Sequence, residues 1–397
     1  MQKELLIGGF NDPNVSYENY RLLADSGIDF VLINRGKKNS EQVFELLKYA
    51  EEFGVSVLID VKESPERFGI EEFKKFKSFA GFHIFDEPIT DDFQDIADKI
   101  KPFEDKFGKD KLFFVNLWTD QWDSCAKKLH ATDYQNYIDR FCNEVLSKIN
   151  GKRILSVDSY PLMLTENETD ILDNRHLEVL EKIAESAKKF NAQSHLYIQT
   201  MGYGKYHRSP SLDDIRFQFF VGLAYGFKKF THFCYYTPGG TCSDFDKKDY
   251  AMVYKDDTPS DIYYFAKEAN AELKVLSKVF LPLEWERTRF IDGNNSFFEY
   301  LGKEYLRHGK GAIKGVKNIS SEYESIIGEF NGKGKPAYVL VNFTNPCYGK
   351  TNTVSVEFDN INKVVLYYRD KTERLSLKDN KLIVYLRSGE GVIIVTE

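Results

Sequence analysis

The chemistry legible in this chain starts from carboxyl groups. Asp86, Glu87 and Pro88 follow the apolar run Gly81–Phe85, so two adjacent acids emerge from a segment that reads as buried. Adjacent carboxyls raise each other's pKa, and partial desolvation raises it further. A carboxyl that keeps its proton near neutral pH can act as a general acid. The same step also fits a helix start, with Glu87 as a cap before Pro88. Asp158 is the second acid of interest. It lies in the stretch Ser156-Val-Asp-Ser-Tyr-Pro161, where an ordinary Asp turn before Pro161 is the other reading. A protonated carboxyl paired with a second group that attacks, activates water or steadies a substrate nucleophile is what glycosidic cleavage needs.

The elements that must position these acids are visible in the apolar pattern. Eight short runs, rich in β-branched and aromatic residues, read as strands buried on both faces: Leu5–Phe10, Phe30–Asn34, Val55–Val61, Gly81–Asp86, Leu112–Trp118, Arg153–Asp158, Ser194–Thr200 and Lys229–Tyr236. Each is followed by a helical pattern. Ser16 opens the first helix, Ser40 the second and Ser211 a later one, whose acidic first turn suits the helix dipole. Asp133–Ile149, Leu177–Phe190 and a long stretch from Thr258 to about Phe280 complete the clearest cases. Eight strand-helix units fit a closed (β/α)8 barrel. An open doubly wound sheet would carry a GxGxxG turn after a strand, and the chain has none.

Beyond about Leu283 the pattern changes to closely spaced strands: Ser296–Leu301, Ser325–Glu329, Ala337–Phe343, Thr353–Phe358, Lys363–Tyr368, Lys381–Leu386 and Val392–Val395. Asn331-Gly332, Asp379-Asn380 and Ser388-Gly389 mark turns between them. The expected organisation is therefore α/β: a (β/α)8 barrel over residues 1–282, followed by an all-β sandwich over residues 283–397.

In such barrels the working residues stand at the C-terminal strand ends and in the loops beyond. Those positions carry Asn34, Asp60, Asn116, Trp118, Tyr160, Gln199, Tyr203 and Tyr236 beside the three acids. Amides and carboxylates hydrogen-bond hydroxyls in pairs, and flat rings stack on the apolar face of a pyranose. Phosphate would call for Arg, Lys and glycine-rich backbone instead. Seven scattered histidines give no transition-metal pattern, so neither metal nor cofactor is expected. Gln199 is read as a substrate contact, because an amide does not exchange protons usefully. A lyase or aldolase would want a buried strand-end lysine. Lys62 is the near candidate, and Asp60 and Glu63 beside it would keep it charged.

Composition narrows the partners. A net charge of −7 without a basic block speaks against nucleic acid. No apolar run reaches the roughly 18 residues of a membrane span. Met1-Gln-Lys-Glu leads directly into an apolar strand with no signal peptide, which fits a cytoplasmic chain or a secreted one whose leader is removed. Five widely spaced cysteines suggest neither a disulfide framework nor a zinc knot. Aromatic residues make up 15% of the chain, enough to fill a large core and still leave rings for a site.

Taken in order, Phe85-Asp-Glu-Pro88, Asp158-Ser-Tyr-Pro161, Gln199, Leu223-Ala-Tyr-Gly226 and Tyr235-Tyr-Thr-Pro238 resemble a group of bacterial TIM-barrel glycoside hydrolases. The segments Leu340-Val-Asn-Phe and Gly389-Glu-Gly-Val-Ile-Ile are similar to the β-domains that follow such barrels. The resemblance implies an oligosaccharide or glycan substrate and Glu87 as acid/base. It departs from the two-glutamate clan, because strand seven offers Gln199 where a nucleophilic glutamate would stand. The second carboxylate is then Asp158 across the barrel mouth or Asp86, as in the Asp-Glu pair of N-acetylhexosaminidases. A barrel that binds carbohydrate without cleaving it is the competing reading.

Overall fold

The structure is a computed structural model that describes residues 6–33, 38–61, 70–120, 125–167, 169–173, 175–238, 249–295 and 311–397. Eight parallel strands close into a barrel: Leu6–Gly9, Phe30–Ile33, Ser56–Asp60, Phe79–Asp86, Leu112–Leu117, Ile154–Asp158, Gln193–Gln199 and Lys229–Phe233, in that cyclic order. They are called barrel strands one to eight below. Their β-branched and aromatic side chains are buried on both faces, inward against one another and outward against the helices.

Helix starts follow local side-chain chemistry. The Oγ of Ser16 accepts from the Asn19 N–H and opens helix Tyr17–Asp25. Asn39 and Gln42 form a reciprocal capping box ahead of helix Ser40–Glu52. Ser211 and Asp214 do the same for helix Leu212–Ala224. Every residue from Asp214 to Ala224 in that last helix is buried, because it is wedged between the barrel and the C-terminal sheets.

A six-stranded antiparallel sheet uses Glu284–Ile291, Ser325–Gly332, Lys335–Asn342, Lys363–Tyr367, Thr372–Ser376 and Gly391–Thr396. A three-stranded sheet uses Val316–Ser321, Asn352–Phe358 and Lys381–Leu386. The two enclose a core of Val354, Val356, Leu366, Leu382, Val384 and Ile394, among others. The fold is thus a (β/α)8 barrel followed by a β-sandwich.

Several details differ from the sequence reading. The expected strand 296–301 lies outside the described residues, whereas Glu284–Ile291, Val316–Ser321 and Thr372–Ser376 are strands that the apolar pattern did not reveal. These three are largely polar or half-exposed, so their burial signal is weak. The turn assigned to Asn331-Gly332 sits two residues later. Gly332 pairs with Lys335, and Lys333 and Gly334 take φ values of 54° and 88°, the left-handed pair that a two-residue hairpin demands. Between barrel strand six and its helix, Leu162–Leu164 and Asp170–Leu172 form an unforeseen hairpin. After barrel strand three, among the described residues, only a 3-10 segment Ile70–Lys75 precedes strand four.

Barrel and sandwich meet with little spare room. A Cβ added at Gly328 would stand 2.1 Å from the carbonyl oxygen of Ala224 in the wedged helix. Thr288 donates to that same oxygen at 2.8 Å. Gly328→Ala must therefore push the sheet off the helix, at a cost of about 1–3 kcal/mol or more. Urea unfolding should show a lowered midpoint, and a midpoint equal to wild type would contradict this packing.

Candidate active site

At the C-terminal mouth of the barrel lies a cavity of about 430 Å³, within the range of small-ligand pockets. Asp86, Glu87 and Asp158 line it together with Asn11, Asn116 and His207. Rings of Phe10, Trp118, Tyr160, Tyr197, Tyr203 and Phe233 form its walls.

The local fold that presents Glu87 is unusual. A bulge between His83 and Phe85 shifts the register of barrel strand four against strand five, which re-aims the strand end. Glu87 then adopts φ 54°, a left-handed conformation that costs a non-glycine residue about 1–3 kcal/mol and persists only where the surroundings enforce it. Three contacts enforce it here. The Glu87 N–H donates to the Asn116 carbonyl at 2.9 Å, and the Trp118 indole N–H donates to the Glu87 carbonyl at 2.6 Å. The Tyr137 hydroxyl donates to the Pro88 carbonyl at 2.7 Å. The helix that follows is capped at Ile89 through Asp92, not by Glu87.

Asp158 ends barrel strand six, 7% exposed, and its carboxyl is hydrogen-bonded to Glu87. Burial raises its pKa well above 3.8, and the neighbouring charges of Glu87 and Asp86 raise it further. Burial thus biases Asp158 toward its protonated form, in which it can donate to the Glu87 carboxyl. Asp86 is anchored differently. The Asn116 amide N–H2 donates to it at 3.3 Å. Asn116 has no choice of orientation, because its amide oxygen accepts from the Ser156 hydroxyl at 2.8 Å. Having spent its proton there, Ser156 must accept from His195 Nδ1, and His195 Nε2 must accept from Thr231. Burial holds the His195 imidazole neutral.

The remaining wall is aromatic and neutral. Tyr203 and His207 stack at 4.1 Å with an 18° tilt, and Tyr160 meets both edge-on. Burial pushes the His207 pKa down to about 4, so this ring stays uncharged near pH 7. Burial and the three nearby carboxyls drive the Tyr197 phenol well above its usual value.

Of the residues singled out from sequence, Asp86, Glu87, Asp158, Asn116, Trp118, Tyr160 and Tyr203 converge on the cavity. Trp118 has one face covered by the Lys128 ammonium at 3.7 Å, so a sugar has only its other face or edge. Gln199 does not line the cavity. It is fully buried, and its amide binds the backbone of Leu162 and Arg208. Tyr236 is also buried elsewhere, with its hydroxyl on the Lys255 carbonyl. Asp60 ends strand three beside His83 and is not part of the lining. Asn34 and Lys62 lie outside the described residues. Sequence reasoning passed over Asn11, Tyr197, His207 and Phe233. Asn11 and Phe233 stand at strand ends, where the barrel rule points. His207 enters through a loop bridge to Tyr203 that no local pattern announces.

Arg208, next to His207, fastens this loop. Its guanidinium pairs with Asp214 at 2.6 Å, with Asp170 of the hairpin at 3.0 Å, and donates to Asn345 of the sandwich at 3.1 Å. Among the described residues, no group of three or more His, Cys, Asp or Glu is placed to hold a metal ion. No described helix is long and apolar enough to cross a membrane. The described cysteines form no disulfide.

No protein-family model matches the chain, and no curated protein matches it in sequence. In fold it is similar to an α-amylase from Anoxybacillus, with a TM-score of 0.51 and 10% identity over 99% of this chain and 98% of that one. Weaker likenesses include an endo-β-1,4-mannanase from Thermotoga petrophila (TM-score 0.41, 9% identity, 97% of this chain and 91% of that one). They also include an HpcH/HpaI aldolase from Desulfitobacterium hafniense (TM-score 0.36, 10% identity, 58% and 86%). At such identities the likeness speaks for the fold alone, and the barrel does not choose the chemistry.

Two predictions arise from this site. Folding raises the Asp158 pKa above its unfolded value, so the native protein keeps a proton that the unfolded chain releases. That contribution is fully present below about pH 4 and is lost as pH rises toward the folded value, by up to about 1.4 kcal/mol per unit. Asp158→Asn removes this slope, so its melting temperature should gain on wild type between about pH 4 and 7. Parallel curves would refute the raised Asp158 pKa. Arg208→Met leaves Asp214 buried without its partner and should destabilise the protein by about 3–5 kcal/mol in chemical unfolding. A change below about 1 kcal/mol would show that this ion pair does not hold the loop.

Proposed function

We propose that this protein is a glycoside hydrolase in which Glu87 delivers a proton to the leaving sugar oxygen. The observation that carries the reading is the meeting of Glu87 with buried Asp158, whose pKa is raised, in a ring-walled cavity that a third carboxyl, Asp86, also lines. A bound glycan rests its ring against the aromatic wall. As the bond from the anomeric carbon to the leaving oxygen breaks, its electron pair goes to that oxygen. The oxygen takes the proton from the Glu87–Asp158 pair. Water adds to the anomeric carbon and returns a proton to the carboxyl group, so the site ends as it began.

The division of labour follows from distance. A retaining pair of carboxyls stands about 5–5.5 Å apart and an inverting pair farther. Glu87 and Asp158 are near enough for their carboxyls to hydrogen-bond. That proximity favours Asp158 as the proton partner of Glu87, and Asp86, held by Asn116, as the second carboxylate. The substrate class follows from the lining: carboxyls and amides for hydroxyls, rings for the apolar face of a sugar. The amylase-like fold is compatible with it.

One observation favours a carbohydrate-binding barrel without turnover. Barrel strand seven brings no carboxylate to the cavity, since Gln199 is tied to backbone. A panel of aryl glycosides separates the two readings. Wild type should turn over at least one member, and Glu87→Gln should lower kcat about 10²–10⁴-fold while glycan affinity changes little. Glycan binding by wild type with no cleavage of any panel member would establish the binding reading instead.

A further inference from the structure

The barrel has a second cavity at its opposite mouth, about 230 Å³ in volume. It is formed where the strands begin, and its inner wall is apolar: Phe30, Leu58 and Phe114 are each at least nine-tenths buried and line it. Its rim carries four lysines, Lys77, Lys111, Lys152 and Lys229. Two aspartates also line it, so four ammonium groups face two carboxylates. Asp29 accepts from the Ile7 N–H and is paired with Lys274 at 2.6 Å. Asp110 is 75% exposed and 3.9 Å from Lys111. Lys229 is 6% exposed, at the first position of barrel strand eight. Burial, reinforced by Lys152, depresses its pKa to about 8 against the opposing pull of Asp29.

An apolar recess ringed by cations has a definite complement. Ammonium groups gathered at one mouth repel one another, and an anion between them relieves that repulsion and the desolvation penalty at Lys229. An apolar body removes the inner wall from water at the same time. We propose that this cavity is a binding site for a small amphipathic anion, its apolar end against Phe30, Leu58 and Phe114 and its carboxylate or phosphate head among the four lysines. This site is separate from the carboxyl-lined mouth and does not depend on the glycosidase reading.

Calorimetric titration of the full chain tests the proposal with octanoate, phenyl phosphate and inorganic phosphate. Octanoate or phenyl phosphate should bind saturably, and which of the two is tighter identifies the head group. Inorganic phosphate should bind at least tenfold more weakly than the better of them, because it lacks the apolar end. Lys229→Met should weaken binding tenfold or more. Lys77→Glu combined with Lys152→Glu should do likewise; both side chains are exposed, so folding is preserved. At about pH 8 a bound anion raises the Lys229 pKa, so binding takes up a proton and the heat varies with the ionisation enthalpy of the buffer. Lys229→Met should abolish that dependence. Absence of saturable binding by both amphipathic probes, or unchanged affinity in the double variant, would overturn the site. Equal affinity for inorganic phosphate would overturn the amphipathic class.

Discussion

Two carboxyl groups in contact at the barrel mouth set the conditions for everything around them. Asp158 is buried deeply enough, and Glu87 lies close enough, that the Asp158 carboxyl is pushed toward its protonated form. Such a pair is stable only if neither partner can swing into solvent. The left-handed turn at Glu87, clamped through Asn116, Trp118 and Pro88, supplies that restraint for one partner. Burial at the end of a central strand supplies it for the other. The conformational strain at Glu87 and the charge strain at Asp158 are two faces of one arrangement, offset by the packing of the barrel.

A line of hydrogen bonds extends that arrangement through the barrel interior. Asp86, Asn116, Ser156, His195 and Thr231 are joined in sequence, and each donor in the line has one acceptor it can use. Fully satisfied polar groups in a low-dielectric core specify one geometry. Here they dictate which way Asn116 points and therefore what Asp86 receives. His195, the last but one in the line, also lines the lysine-rimmed cavity. Parallel strands make the two mouths chemically distinct: their C-terminal ends gather carboxyls, and their N-terminal ends gather lysines.

The sandwich takes part in shaping the upper cavity. Asn345 reaches the guanidinium that also binds Asp214 and Asp170, one residue from His207. Ser388 secures the Asn345 loop by donating to the Pro346 carbonyl. Helix Leu212–Ala224 has no solvent face, since Phe217 meets Phe343 of the sandwich and Phe219 meets Phe230 of the barrel. The loop that carries Tyr203 and His207 is thus held from both domains.

The linear chain determined the architecture. Eight continuous apolar runs separated by amphipathic stretches admit a barrel, and closely spaced strands with turn residues admit a sandwich. It also located Asp86, Glu87 and Asp158, because strand ends are readable from where apolarity stops. Three things were decided only in three dimensions. Gln199 sits at a strand end like the others, yet its amide is consumed by backbone groups of Leu162, in the hairpin after barrel strand six, and of Arg208, nine residues farther along the chain. His207 joins the cavity through a bridge to Tyr203. The raised pKa of Asp158 depends on its burial and on the approach of Glu87. Burial comes with barrel closure, and residues 71 positions apart in sequence become neighbours because barrel strands four, five and six pair side by side.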